Sequence, residues 1–302
     1  MNYSFIIPHH DIPSLLKRCL DSIPQRDDVQ VIVVDDCSDE IYKPELRQLE
    51  NTYSQYEFIY LDKNVGGGRA RNIGLDYAKG NYIIFADADD YFNDCISEIL
   101  DDYKNTDYDQ VYFKANSVDS VTAMPAYRAN HLNSYVDLAL TGQDPEGKHL
   151  RYLFGEPWAR IINRSMINEH HICFEETMIH NDTAFGYLSG YYSKKIAFDQ
   201  RALYCVTVRQ DSVSVLTSTD RILTRIAVFG RGEIFLTSHK IDFFPAEHYE
   251  QLFRLARHGH IITFFKGIKT LQQQGLSLSR IFYRLILTFY QHILNKTKNN
   301  SI

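Results

Sequence analysis

Residues 81–92 read NYIIFADADDYF, an apolar run that ends in Asp87, Asp89 and Asp90, three carboxylates within four positions. Like charges this close repel and raise one another's pKa unless a cation sits among them. Two carboxylates around a turn offer the hard oxygen ligands that Mn2+ or Mg2+ takes, with sites left open for the phosphates of a substrate. Asp87 and Asp89 are the candidate ligands. Asp90 reads as a cap for a helix beginning near Asn93, with support of the two ligands from behind as the alternative.

HNDTAF, residues 180–185, is the second such stretch. Asp182 is a carboxylate of the kind that serves as a general base. By local sequence alone, Asn181 or Asp182 reads as the cap of the helix TAFGYLSGYY. His180 could ligate or hydrogen-bond. Trp158, in EPWARIINRS, reads as a core aromatic, with stacking on a sugar as the alternative.

These residues need a scaffold, and the first third of the chain has its rhythm. β-rich runs at 4–8, 29–36, 57–62 and 81–90 alternate with IPSLLKRCLDSI, KPELRQLENTY and GRARNIGLDYAKG, whose apolar residues recur at three and four. That alternation predicts βαβ units and a parallel sheet covered on both faces. Ligands then belong beyond the carboxyl ends of the strands. Those ends are polar: Pro8-His9-His10-Asp11, Asp35-Asp36-Cys37-Ser38, Asn64-Val65-Gly66-Gly67-Gly68, and Asp87-Ala88-Asp89-Asp90. Four of them along one edge predict a shared crevice. The glycine run fits neither GxGxxG after the first strand nor GxxxxGK[ST], yet its N–H groups could approach an anion at a helix start. Arg69 and Arg71, two apart, diverge on a helix, so one is expected at phosphate or base while the other packs or meets solvent.

Composition narrows the class. The chain has 302 residues, 44% hydrophobic and 23% charged, which fits one large globular domain or two modest ones. A net charge of −6 argues against a nucleic-acid partner. Five scattered cysteines without a CxxC argue against a disulfide framework or structural zinc, and for a reducing, cytoplasmic setting. The start MNYSFIIPHHD lacks the basic and apolar regions of a signal peptide. No apolar run approaches the ~20 residues that span a bilayer.

From about residue 3 to about 215 the chain resembles the family-2 glycosyltransferases, nucleotide-sugar enzymes of the GT-A fold. SFIIPHHD resembles the family's opening strand, VIVVDDCSDE the strand ending in an Asp pair and Ser, and NVGGGRARNIGLDYAKGNYIIFADADDYF the central block with its D-x-D signature. EPWARIINRSMINEHHICFEETMIHNDTAFGY is similar to the acceptor-side segment that bears the base, and LYCVTVRQDSVSV to the closing strand and loop. The resemblance implies an α/β GT-A fold and an inverting transfer from a UDP-sugar, in surface polysaccharide assembly, to a glycan or lipid-linked glycan. It implies Asp36, with Asp35 beside it, at the nucleoside, and Asp87 and Asp89 at ribose and metal. Pro8, Gly68, Arg69, Arg71 and Ala88 would line the donor site, and Asp182 would be the base. Three positions depart from the family pattern: His9-His10-Asp11 after the first proline, Cys37 where Gly is common, and Asn181 where Glu usually precedes the base. A nucleotidyltransferase would show a basic signature near the first strand, which SFIIPHHD lacks. A non-catalytic nucleotide-sugar-binding scaffold finds support only in Asn181.

The implied organisation is a GT-A domain over 1–215, with 1–92 as its nucleotide-sugar half and 93–215 as its acceptor-side half, followed by a helical region over 216–302. The stretch 278–298 mixes Leu, Ile, Phe and Tyr with Arg280, Arg284, His292, Lys296 and Lys298. A basic amphipathic helix of this kind suits peripheral contact with the inner face of an anionic membrane. Packing against the domain or a second subunit, as in a homodimer, is the alternative.

Overall fold

The computed structural model describes residues 1–208 and 218–299, with side chains to residue 294. The loop of LYCVTVRQDSVSV, the boundary at 215 and the side chains of Lys296 and Lys298 lie outside the described residues. The chain forms two compact units, one of Met1–Glu176 with Ala184–Ser212, the other of Thr177–Thr183 with Val213–Ile302.

The first unit is built on an eight-stranded sheet. In chain order its strands are β1 (Tyr3–His9), β2 (Val29–Asp35), β3 (Glu57–Tyr60), β4 (Tyr82–Phe85), β5 (Tyr91–Phe92), β6 (Gln110–Asp119), β7 (Arg160–Asn163) and β8 (Ile196–Val208). Their spatial order is β3-β2-β1-β4-β7-β6-β8-β5. The helices α1 (Pro13–Asp21), α2 (Lys43–Thr52) and α3 (Gly67–Tyr77) connect the first four strands, which pair in parallel as the alternation predicts. The sheet is not parallel throughout: β7 runs antiparallel to β4 and β6, and β5 antiparallel to β8. A sheet buried on both faces needs apolar residues at consecutive positions. β1 and β4 supply them, sending Phe5, Ile7 and Ile84 to one core and Ile6, Ile83 and Phe85 to the other.

The run predicted as a strand over 81–90 stops at Phe85. A turn follows, with the Asp90 N–H bonded to the Asp87 carbonyl at 3.0 Å, and then the short β5. The change places the three carboxylates on a turn at the strand's carboxyl end. Further helices are α4 (Ile96–Tyr103), α5 (Asn130–Leu140), α6 (Lys148–Tyr152), α7 (Arg164–Glu169) and α8 (Thr183–Tyr192).

The second unit is helical, with α9 (Thr219–Ser238), α10 (Glu247–Arg257), α11 (Ile261–Gln274) and α12 (Leu278–Asn299). Ile226, Tyr249, Leu252, Leu271 and Ile281 form its core. Glu233 is buried there and accepts hydrogen bonds from His248 Nε2 and Tyr249 Oη, each at 2.7 Å, and from Arg280 Nε at 2.5 Å. Those three donors keep its carboxyl below the usual range despite burial, so the charge stays compensated inside an apolar bundle.

Packing of α3 on β1 depends on one missing side chain. A Cβ at Gly74 would lie 2.4 Å from Ile6 Cγ2, in the sheet's interior. Neither the strand nor the helix can yield without disturbing neighbouring layers. Gly74→Ala is expected to destabilise the protein by about 1–3 kcal/mol, read as a lower midpoint in chemical denaturation.

Candidate functional site

The site begins where β1 and β2 end side by side. Their register pairs His9 with Asp35, and both side chains are buried. His9 Nδ1 lies 2.8 Å from Asp35 Oδ1, while His9 Nε2 accepts the Ile12 N–H at 3.2 Å. Nδ1 is therefore the ring's donor to the carboxylate. Ser38 completes the arrangement by giving Asp35 its hydroxyl at 2.5 Å and its backbone N–H at 3.1 Å. Burial pushes the Asp35 carboxyl up, but the His9 and Ser38 hydrogen bonds outweigh it and hold the pKa below the ordinary value. Two loops are locked by the same contacts, since the Asp11 N–H donates to Ser38 Oγ and Asp11 accepts from the Asp39 N–H. Cys37 sits at φ +59, a left-handed conformation that disfavours any side chain; this is the physical reason that glycine suits its position.

Asp36 reaches the third strand end. Its carboxylate accepts the backbone N–H groups of Val65 at 2.6 Å and Gly66 at 2.8 Å. Gly66 stands at φ +85 immediately before α3, so the anion met by these loop N–H groups is the protein's own. From α3, Arg71 is buried and its Nη2 bonds Asp87 Oδ1 at 2.5 Å, whereas Arg69 is exposed and pairs with Glu176 at 3.3 Å. The two arginines diverge as their spacing requires. Asn72 adds a two-way clamp, bonding the carbonyl and N–H of Phe174 at 2.9 and 2.8 Å. Gly68 is buried in the first turn of α3, Pro8 is half-buried in β1, and Ala88 is buried in the core between the two candidate ligands.

The acidic turn is held from β8. The Asp87 N–H donates to Tyr204 Oη at 2.8 Å, and Thr207 gives its N–H to Asp90 Oδ1 at 2.7 Å and its hydroxyl to the Asp89 carbonyl at 2.6 Å. Arg18 of α1 donates to that same carbonyl. Asp90, 2% exposed, is not a helix cap. The N-cap of α4 is Cys95, and Asp90 instead anchors β8 to the turn. Burial, and next the charges of Asp89 and Asp87, push its carboxyl well above the ordinary value. Trp158 is a core residue, stacked on Tyr204 with ring centroids 5.7 Å apart.

The crowding of three carboxylates is thus partly relieved within the fold, by Arg71 at Asp87 and by burial of Asp90. Asp87 and Asp89 remain partly exposed. Among the described residues no three His, Cys, Asp or Glu side chains converge as a metal cage. Two carboxylates on one turn fit a hard divalent cation whose shell is completed by a diphosphate and water. They do not fit a self-contained protein site.

Asp182 lies half-buried in the second unit, one residue before α8, and its charge raises the basicity of His180. Burial and then Arg225 more than offset that, leaving the His180 pKa below its ordinary value. His180 Nε2 accepts from Arg225 Nε at 2.8 Å, so the lone pair that a base would use is already engaged.

Tyr204, Thr207 and Arg18 escaped the sequence reading. The first two are 117 or 118 residues from their partners in the acidic turn, and the local sequence LYCVTV reads simply as a strand.

The sequence pattern of Glycosyl transferase family 2 matches residues 4–167, and the chain belongs to that family. EpsH of Bacillus subtilis is 23% identical over 223 residues, covering 70% of this chain and 62% of that one. Residues 1–349 of TarS from Staphylococcus aureus, solved with UDP-GlcNAc, superpose with a TM-score of 0.61 at 20% identity, covering 85% of this chain and 71% of that one. The mannosyltransferase PcManGT of Pyrobaculum calidifontis, solved with GDP-Man and Mn2+, gives a TM-score of 0.57 at 15% identity, covering 97% and 80%. The fold is that of the GT-A enzymes.

The pair at the head of the sheet makes a stability prediction. His9→Ala leaves Asp35 buried without its main donor and should cost about 2–4 kcal/mol. Because Asp35 is more acidic folded than unfolded, the stability it supplies is present above pH ~4 and drains as pH falls through its lower folded value. Denaturation midpoints across that window should show a smaller acid-side loss in His9→Ala than in the wild type.

Proposed function

We propose that the protein is an inverting glycosyltransferase that moves a sugar from a nucleoside diphosphate donor, a UDP-sugar, to a hydroxyl of a glycan or lipid-linked glycan. The setting is surface polysaccharide assembly at the cytoplasmic face of the membrane. The observation that carries the reading is the Asp87–Asp89 turn at the head of a family-2 sheet, held by Tyr204 and Thr207 from one side and met by Arg71 from the other. TarS, named as a poly(ribitol-phosphate) β-N-acetylglucosaminyltransferase and solved with UDP-GlcNAc, supports the donor class and a polymer acceptor. PcManGT, solved with Mn2+, supports a divalent cation.

Asp87 and Asp89 would hold Mn2+ or Mg2+, which when bound supplies Lewis-acid neutralisation of the departing diphosphate. Within the chain, Asp36 sets the 64–68 loop and Asp35 sets the loops after β1 and β2, giving the crevice walls that receive the nucleoside together with Pro8, Gly68 and Ala88. Arg71 balances the charge of Asp87. Arg69, exposed and held among the described residues by a surface ion pair, is available to the donor phosphates. Asp182 takes the acceptor proton. Its assignment as base follows the resemblance of HNDTAF to the family's base-bearing segment, and His180 is a weaker candidate because of its bond from Arg225. Residues 1–215 would form the catalytic domain, with 1–92 binding the donor and 93–215 the acceptor, and 216–302 would be the appended helical region.

The test is slow hydrolysis of a panel of nucleotide sugars with Mn2+, scored for release of nucleoside diphosphate. Pyrophosphate release would indicate a nucleotidyltransferase, and no turnover a binding scaffold. On the active donor, Asp182→Asn should lower the transfer rate by ~10²–10⁴-fold, the range for a lost general base, with donor Kd near wild type. Asn caps helices about as well as Asp, so a rate within about tenfold of wild type would assign Asp182 to helix capping.

A further inference from the structure

A helix packed on one side needs one apolar stripe, and α12 has two. Ile281 and Leu285 turn into the helical unit's core. The opposite face exposes Phe282, Tyr283, Ile286, Phe289, Tyr290 and Ile293, with Ile286 57% and Tyr290 62% accessible. Residues three and four apart neighbour each other on a helix, so these side chains form one continuous strip. The helix cannot simply roll it inward. Both arginines of α12 are paired within the unit, Arg280 with the buried Glu233 at 2.5 Å and Arg284 with Asp242 at its surface at 2.7 Å. Exposed apolar strips of this extent mark interaction surfaces.

Charge selects the partner. Beside the strip, a cleft of about 460 Å3 between α10 and α12 is lined by Arg254, Arg257, His258 and His292, with Glu250 its one acidic residue. Phe289 joins strip and cleft, its ring 6.0 Å from that of Phe253. From Ser218 to Asn299 the chain carries twelve Lys or Arg against five Asp or Glu, in a protein whose net charge is −6. α12 itself contains no acidic residue. A second copy packed on this strip would bring like-charged flanks together with no acid on α12 to pair them. An anionic surface would meet the same charge attractively. No described helix is long and apolar enough to cross a membrane, so such a helix lies along the interface, its tyrosine hydroxyls at headgroup depth.

We propose that α12 docks on an anionic lipid surface, the strip entering the interface and the Arg254–Arg257–His258 cleft receiving lipid phosphates. The proposal deepens the membrane setting proposed above and rests on it only for its purpose, because vesicle binding requires no turnover. The full chain should sediment at low salt with vesicles of equimolar phosphatidylcholine and phosphatidylglycerol, and not with phosphatidylcholine alone; added salt should weaken the binding. Phe282→Ser combined with Ile286→Ser should lower the partition coefficient at least about tenfold and leave the melting curve unchanged, both side chains being exposed. Arg254→Gln with Arg257→Gln should remove most of the salt sensitivity.

Three results would overturn the idea: no binding of the wild type to the equimolar vesicles, undiminished binding by the serine variant, or a solution dimer by light scattering that the serine variant dissociates. Should that variant fold poorly, hydrogen exchange of the wild type with and without vesicles decides. New protection within 278–294 supports docking, and its absence contradicts it. Donor hydrolysis without vesicles separates the two proposals, since its loss with vesicle binding intact refutes the transferase reading alone.

Discussion

Everything at the carboxyl edge of the sheet depends on holding three carboxylates together on one turn. Unaided, Asp87, Asp89 and Asp90 would repel one another and loosen the turn that presents them. The fold answers by dividing them. Asp90 is drawn under β8, where Thr207 and its neighbourhood replace water, and Asp87 is matched by Arg71. With Tyr204 gripping the Asp87 N–H and Thr207 gripping the Asp89 carbonyl, the backbone is fixed before the first candidate ligand and after the second. A cation site with only two protein ligands gains most from this, because reorganising the turn on binding would weaken both.

The same principle governs the loops after β1, β2 and β3. Asp35 and Asp36 look from sequence like a pair of ligand contacts, yet both carboxylates are engaged within the protein, one on His9 and Ser38 and the other on the N–H groups of Val65 and Gly66. They pin the loops after β1, β2 and β3 to one another. Buried carboxylates met by several donors make rigid connections, and loops held in this way would lose less conformational freedom on binding the proposed donor.

The alternating half of the fold could be read from sequence because its signals are local. β-rich runs broken by helical spacing mark β1 to β4, and their polar ends fall on one edge as the parallel pairing requires. The mixed half could not, since the pairing of β8 with β6 and β5 joins segments about a hundred residues apart and leaves no periodic trace. The roles of Tyr204, Thr207 and Arg18 were hidden for the same reason. Asp90 was misread as a cap because turn residues before a helix resemble caps whether or not their side chains point inward. Trp158 lies in the core as its sequence context suggests, while its stacking on Tyr204 joins distant segments that no local signal connects. The C-terminal segments read as helices from composition and spacing; that α12 packs with one face and exposes another became visible only when Ile281 and Phe282 were seen to point apart.

The central claim is that the Asp87–Asp89 turn exists to meet a divalent cation carried with a diphosphate. Calorimetry of UDP binding to the full chain, with Mn2+ and then with the metal chelated, tests this most directly. The account predicts tight binding only with metal, with affinity falling by at least about tenfold on chelation, since Asp87 and Asp89 would hold a cation that neutralises the diphosphate. Equal affinity in both conditions would contradict it and assign the acidic turn to the fold alone.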